Sequence, residues 1–194
     1  AKAGRPDRSI VFLAVTAEES GLLGSQYYAD HPIYPLAKTV GGVNMDAFSM
    51  AGPAKNLTVI GMGKSDLDSY LAAAAQAEGR TPEAEPTPEK GYYYRSDHFS
   101  LAKKGVPMVY FEGGEDLVDG GRAAGAAAAT DYVENRYHGP KDEYDPNWNW
   151  AGVMADLRLY YRIGRELAMT SDWPNWVPGD EFRATRDETA DQRK

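Results

Sequence analysis

Four short apolar runs punctuate this chain, each too short to be a buried helix. They are "SIVFLAVT" (Ser9–Thr16), "TVGGVNMDAF" (Thr39–Phe48), "NLTVIGM" (Asn56–Met62) and "VPMVYF" (Val106–Phe111). A run that is apolar without alternation reads as a strand covered on both faces, the signature of a parallel sheet between helices. Helical stretches separate the runs. Glu18 to about Ala29 is expected to be helical, with Leu22, Leu23, Tyr27 and Tyr28 on its inner face. Asp66–Glu78 starts near an aspartate and stops at Gly79. Ser96–Lys104 reads as a short helix that Ser96 or Asp97 would cap, and Trp150 to about Thr170 as a long amphipathic one. "RTPEAEPTPEKG" is expected to be a loop. The alternation predicts an α/β chain, a three-layer sandwich around a mostly parallel central sheet.

The 194 residues suffice for one domain with a real core, and no internal repeat or second domain is visible. Residues 172–194 read as a surface tail carrying tryptophans. An apolar content of 42% with 13 tyrosines belongs to a globular protein. The formal net charge of −8 sets the chain against a nucleic-acid partner. No window approaches the ~18 consecutive apolar residues of a membrane helix, so no membrane partner is expected. The absence of cysteine excludes disulfides, thiolate zinc sites and a cysteine nucleophile.

In sheets of this kind reactive side chains gather where loops leave the carboxyl ends of strands. Three such places carry acidic or imidazole groups: Glu18 and Glu19 after the first run, Asp46 at the end of the second, and His138 in the long irregular stretch after the fourth. Each has an ordinary reading. Paired glutamates in a first helical turn complement the helix dipole, Asp46 can bond to a turn, and a loop histidine is often merely exposed. Together they offer the oxygen and imidazole donors a divalent metal needs, plus a spare carboxylate to take a proton. A nearby cation would also relieve the crowding of two adjacent glutamates. No Gly-x-Ser-x-Gly nucleophile elbow is present, and two glutamates stand where a phosphate-binding loop would need glycines.

"VFLAVTAEESGLLGSQYY", "NMDAF", "YYYRSDHFSLAKKGVPMVYF" and "RYHGPKDEYD" occur in an order and spacing that resemble the bizinc exopeptidases, the family of bacterial leucyl aminopeptidases, aminopeptidase Y and glutamate carboxypeptidase II. The likeness runs from about Ile10 to the final long helix. It implies a zinc-dependent exopeptidase acting on peptides, most simply an aminopeptidase, with Glu18 as general base. Glu19 and His138 would ligate one zinc and Asp46 the second. Tyr137 resembles an oxyanion-holding tyrosine of the carboxypeptidase branch; a ring packed under the loop is the equal alternative. Asp97 and His98 match a block that does not bind metal and are expected to cap a helix and brace the pocket floor by hydrogen bonds. His31 is expected to be structural. The loop from Glu112 to Arg136 would line the specificity pocket, with most of its acids solvated.

The family also uses a His-x-Asp motif and a bridging aspartate from an earlier segment, which have no counterpart here. This predicts a C-terminal portion of a longer catalytic domain, truncated at its N-terminal side, that binds zinc weakly and turns over little by itself. Other branches perform carboxypeptidase or glutaminyl cyclase chemistry, and relatives such as the transferrin receptor ectodomain keep the fold as a binding module. By the same likeness the protein is expected to be periplasmic or secreted. Its oligomeric state is open.

Overall fold

The computed structural model describes residues 4–193, so residues 1–3 and 194 of the expected domain lie outside it. Four strands form one sheet: β1 (Gly42–Asn44), β2 (Asn56–Ile60), β3 (Thr81–Ala84) and β4 (Met108–Gly113), in the spatial order β1-β4-β2-β3. β1 and β4 pair in parallel, with Val43 opposite Val109, and β2 and β3 pair in parallel, with Leu57 opposite Pro82. The central β2–β4 pair is antiparallel, with Ile60 opposite Tyr110. The protein is thus mixed α/β, with a mostly parallel sheet flanked by helices.

Side-chain alternation along the strands makes two cores. Leu57, Val59, Val109 and Phe111 face α2 (Leu67–Ala77) and α5 (Trp150–Met169), where Leu67, Leu71, Leu159, Tyr160, Ile163 and Leu167 close over them. Ile60 and Tyr110 point the other way, against Tyr93, Ala102 of α3 (His98–Ala102), Trp176 and Phe182. Continuous burial of Met108 to Phe111 is what the unbroken apolar run of β4 requires.

Several expectations are corrected. Ser9–Thr16 is not a strand. Its ends are held: the amides of Asp7 and Arg8 donate to the Ala168 carbonyl, and the Gly24 amide to the Thr16 carbonyl. Between them Ile10 to Leu13 are exposed, Phe12 at 88%. A strand exists only by pairing, and none of the described residues pairs with this run or with the free edge of β1. The second run contributes only Gly42–Asn44 to the sheet.

The expected Glu18–Ala29 helix is split into a 3-10 turn at Glu18–Ser20 and α1 (Leu23–Asp30), because Gly21 and Leu22 are both left-handed. Its inner face is small rather than bulky: Ser25 and Ala29 are buried, whereas Leu23 and Tyr27 are exposed. Gly24 sets that closeness, since a Cβ there would lie 2.4 Å from the Thr16 carbonyl oxygen. β3 occupies part of the supposed proline-rich loop; Pro82, lacking an N–H, is tolerated because β3 is an edge strand. The Ala/Gly run after β4 forms a full helix, α4 (Gly121–Asn135), with only Gly125 buried.

The segment from 172 on is no surface tail. Trp176 is fully buried and donates from Nε1 to the Gly105 carbonyl at 3.0 Å. Arg186, in α6 (Arg183–Asp187), donates to the carbonyls of Thr39 and Val40 at 2.9 and 3.0 Å. A Cβ on Gly105 would meet the Arg186 amide nitrogen at 2.7 Å. No helix among the described residues is long and apolar enough to cross a membrane.

His98 departs from its expected hydrogen-bonding role. It is buried at the start of α3, its ring edge-on to Tyr93 (4.7 Å between centroids) and 5.2 Å from Tyr110, and neither ring nitrogen has a hydrogen-bond partner. Burial pulls its pKa down to about 3. The unfolded chain takes up this proton below about 6.5 while the folded chain does not, so the stability is fully present above that pH and falls as pH drops towards 3. The linkage amounts to about 2 kcal/mol at pH 5. His98→Phe, which keeps a ring and removes two unpartnered nitrogens, is expected to be no less stable than the parent at pH 7.5. In urea titrations it should lose about 2 kcal/mol less than the parent on going to pH 5. Equal losses in both proteins would contradict this.

Candidate metal centre

Four pieces of backbone bring the expected site residues to the carboxyl end of β1. The turn at Glu18–Ser20 supplies the two glutamates, the residues just past β1 supply Asp46, the approach to α3 supplies Ser96 and Asp97, and the loop after α4 supplies Tyr137 and His138. Among the described residues, three with side chains have positive φ: Ala17 (59°), Leu22 (62°) and His138 (55°). Ala17 and Leu22 bracket the glutamates, and the third is the site histidine itself. Each costs of order 1–2 kcal/mol, and such strain persists where the surrounding structure imposes it.

Glu19 and His138 meet, Oε1 to Nε2 at 2.7 Å, with both side chains well exposed. Glu18 lies within electrostatic reach of the whole set. Burial raises its carboxyl above the ordinary range, the charges of Glu19, Asp46 and Asp97 raise it further, and His138 opposes them. Tyr137 stacks on His138 with ring centroids 3.8 Å apart. Burial first, then the charges of Glu19, Glu18 and Asp46, push its phenol up, while Arg95 pulls it down. The ring is half exposed, so packing under the loop does not account for it. His31, by contrast, stands away from this set, against Tyr27.

Three residues, Ser96, Asn44 and Glu112, have partners here that the sequence did not assign to them. Ser96 is buried and donates from Oγ to Asp46 Oδ2 at 2.5 Å, and Asn44 Nδ2 donates to the same Ser96 oxygen at 2.8 Å. Neither Ser96 nor Asp97 caps α3 through its side chain. Glu112 is not solvated: Tyr110 donates to its Oε1 at 2.6 Å, and burial and the charge of Asp46 raise its carboxyl despite that bond. No local pattern marks these residues, because each partnership but the last spans about fifty positions.

The donors suit zinc in kind: a carboxylate beside an imidazole on one side, and a second carboxylate with one oxygen already engaged on the other. In number they fall short. Among the described residues no three such side chains converge on a single point that could hold one ion. Glu19 is engaged with His138, and Asp46 with Ser96.

No curated protein matches the chain. The sequence profile of peptidase family M28 matches residues 1–161, from before the paired glutamates into α5. Peptidases of that family are zinc-dependent hydrolases, aminopeptidases and glutamate carboxypeptidase-like enzymes among them. With most of its length matched, the chain belongs to peptidase family M28.

Proposed function

We propose that the site removes residues from the amino end of peptides. The supporting observation is the sign of its field. Glu18 feels the charges of Glu19, Asp46 and Asp97, and Glu112 feels that of Asp46; Glu18, Asp97 and Glu112 stand outside the proposed zinc ligands, so their negative charge is not cancelled by the metal. Such a field suits an α-ammonium group and repels an α-carboxylate.

Glu19 and His138 would hold one zinc and Asp46 a second. Zinc, when bound, makes a water acidic enough to attack and polarises the scissile carbonyl. The chain's own residues do the rest. It is Glu19, not Glu18, that lies against His138, so Glu18 is free to take the proton of the attacking water and return it to the departing amine nitrogen. Tyr137 donates its phenolic proton in a hydrogen bond to the oxyanion on the substrate carbon. Two donors on one side and one on the other are fewer than the three protein ligands usual for catalytic zinc. Uptake is therefore weak, turnover is low, and assays belong in excess zinc.

The test is a pair of substrates. A peptide anilide with a free amino terminus is expected to be cleaved and its N-acetylated form left intact. Equal cleavage of both would overturn the aminopeptidase reading, and release of carboxyl-terminal residues from an N-acetylated peptide with a free carboxyl end would replace it with the carboxypeptidase one.

A further inference from the structure

We infer that Glu112 is a specificity-determining residue: it receives the cationic side chain of a substrate whose amino-terminal residue is basic, lysine being the best fit. This rests on the aminopeptidase reading above and narrows its substrate class.

The sheet sets where Glu112 stands. Asn44 is level with Tyr110 in the parallel β1–β4 pair. Two residues further on, Asp46 and Glu112 come level in turn, on strand paths about 4.8 Å apart. Side chains two apart along a strand share a face, so Glu112 lies on the side of the sheet where Tyr110 meets Ala102 of α3. On β2 it is opposite Thr58, and both residues are half-buried, open to the cleft rather than sealed in the core. The charge of Asp46 acts on Glu18 and on Glu112 alike. A substrate with its amino group near Glu18 and Asp97 therefore has Glu112 within reach of a long first side chain.

This carboxylate is set up for a cation that the chain does not provide. Tyr110 donates its one O–H to Glu112 Oε1 at 2.6 Å, which holds the group in place. The charges acting on it, those of Asp46, Asp156 and Glu85, are all negative. Among the described residues no lysine or arginine pairs with it. An anion partly withdrawn from water without a counter-charge is costly, and a cation arriving on the ligand relieves that cost. A neutral side chain leaves Glu112 unpaired, and an acidic one is repelled. With Oε1 already engaged, Oε2 is the oxygen left to accept. A single acceptor suits the compact ammonium of lysine better than the guanidinium fork of arginine, which is matched by two.

Binding of dipeptide amides to the zinc-free whole chain, followed by calorimetry, tests this without relying on turnover. The probes are lysyl-alanine amide and norleucyl-alanine amide, which share a four-carbon stem and differ in the terminal ammonium. The parent is expected to bind the lysyl amide about 10–100-fold more tightly. Glu112→Gln keeps an oxygen for Tyr110 and should reduce the gap to about threefold or less. Thermal unfolding, expected to be close for the two proteins, separates lost selection from lost fold. A parent that binds both amides alike, or a Glu112→Gln that keeps the parent's gap, overturns the role of Glu112. Acetylating the amino group of the lysyl amide is expected to remove most of its binding. If it does not, the aminopeptidase reading falls while the selection of a basic side chain stands. Absence of binding by either amide overturns both.

Discussion

Glu18→Gln, assayed in excess zinc, is expected to lose peptide hydrolysis by about a hundredfold or more while taking up as much zinc as the parent. Glutamine has the shape of glutamate but cannot accept the proton of the attacking water, and general-base catalysis contributes about 10²–10⁴-fold. The fold should not suffer. Glu18 is raised by burial and by three like charges, so neutralising it relieves repulsion. The pH dependence gives a second readout. A base must be ionised, so hydrolysis by the parent should fall on acidification as Glu18 takes up a proton. Glu19→Gln should behave differently, losing zinc because, on the proposed reading, Glu19 and His138 would hold the ion together. If Glu18→Gln lost zinc and Glu19→Gln kept it, the two roles would have to be exchanged.

Removing either member of the Arg80–Asp156 pair is expected to cost about 3–5 kcal/mol. Both side chains are almost wholly buried, with Arg80 Nη1 2.5 Å from Asp156 Oδ1 and Arg80 Nη2 donating to the Asn56 carbonyl at 3.1 Å. Arg80 Nε has no partner, and burial pushes the Asp156 carboxyl up against the pull of the guanidinium and the Gly113 amide. Desolvation therefore outweighs attraction. The pair is expensive to break and of little net benefit to keep. Asp156→Leu strands a buried cation and Arg80→Met a buried anion, whereas the double variant strands neither and should lie within about 1.5 kcal/mol of the parent. Urea denaturation of the four proteins checks this. Additive losses would mean that the two groups act independently.

What the sequence made legible was chemistry at strand ends. Glu18, Glu19, Asp46 and His138 could be singled out because each follows an apolar run or sits in a long loop, and their mutual reach needed only the α/β alternation. The bend that presents the glutamates could not be read. Left-handed backbone at Ala17 and Leu22 is imposed by packing on Thr16 and α1, against the preference of both residues. Ser9–Thr16 has the composition of a buried strand, but composition does not provide a neighbour to pair with. β3 was hidden by its proline, which an edge position permits. Ser96 was read as a cap from its place before a helix, whereas a contact to Asp46, fifty positions away, claims its hydroxyl.

The mismatch between family match and packing bears on where this protein can be cut. The match ends at residue 161, inside α5, yet Trp176, Phe182 and Arg186 lie beyond it and seal Gly105, Ile60 and the backbone before β1. Anyone trimming an expression clone to the homologous region would sever a helix mid-length and strip the cover from half the interior. A soluble product needs its last two dozen amino acids.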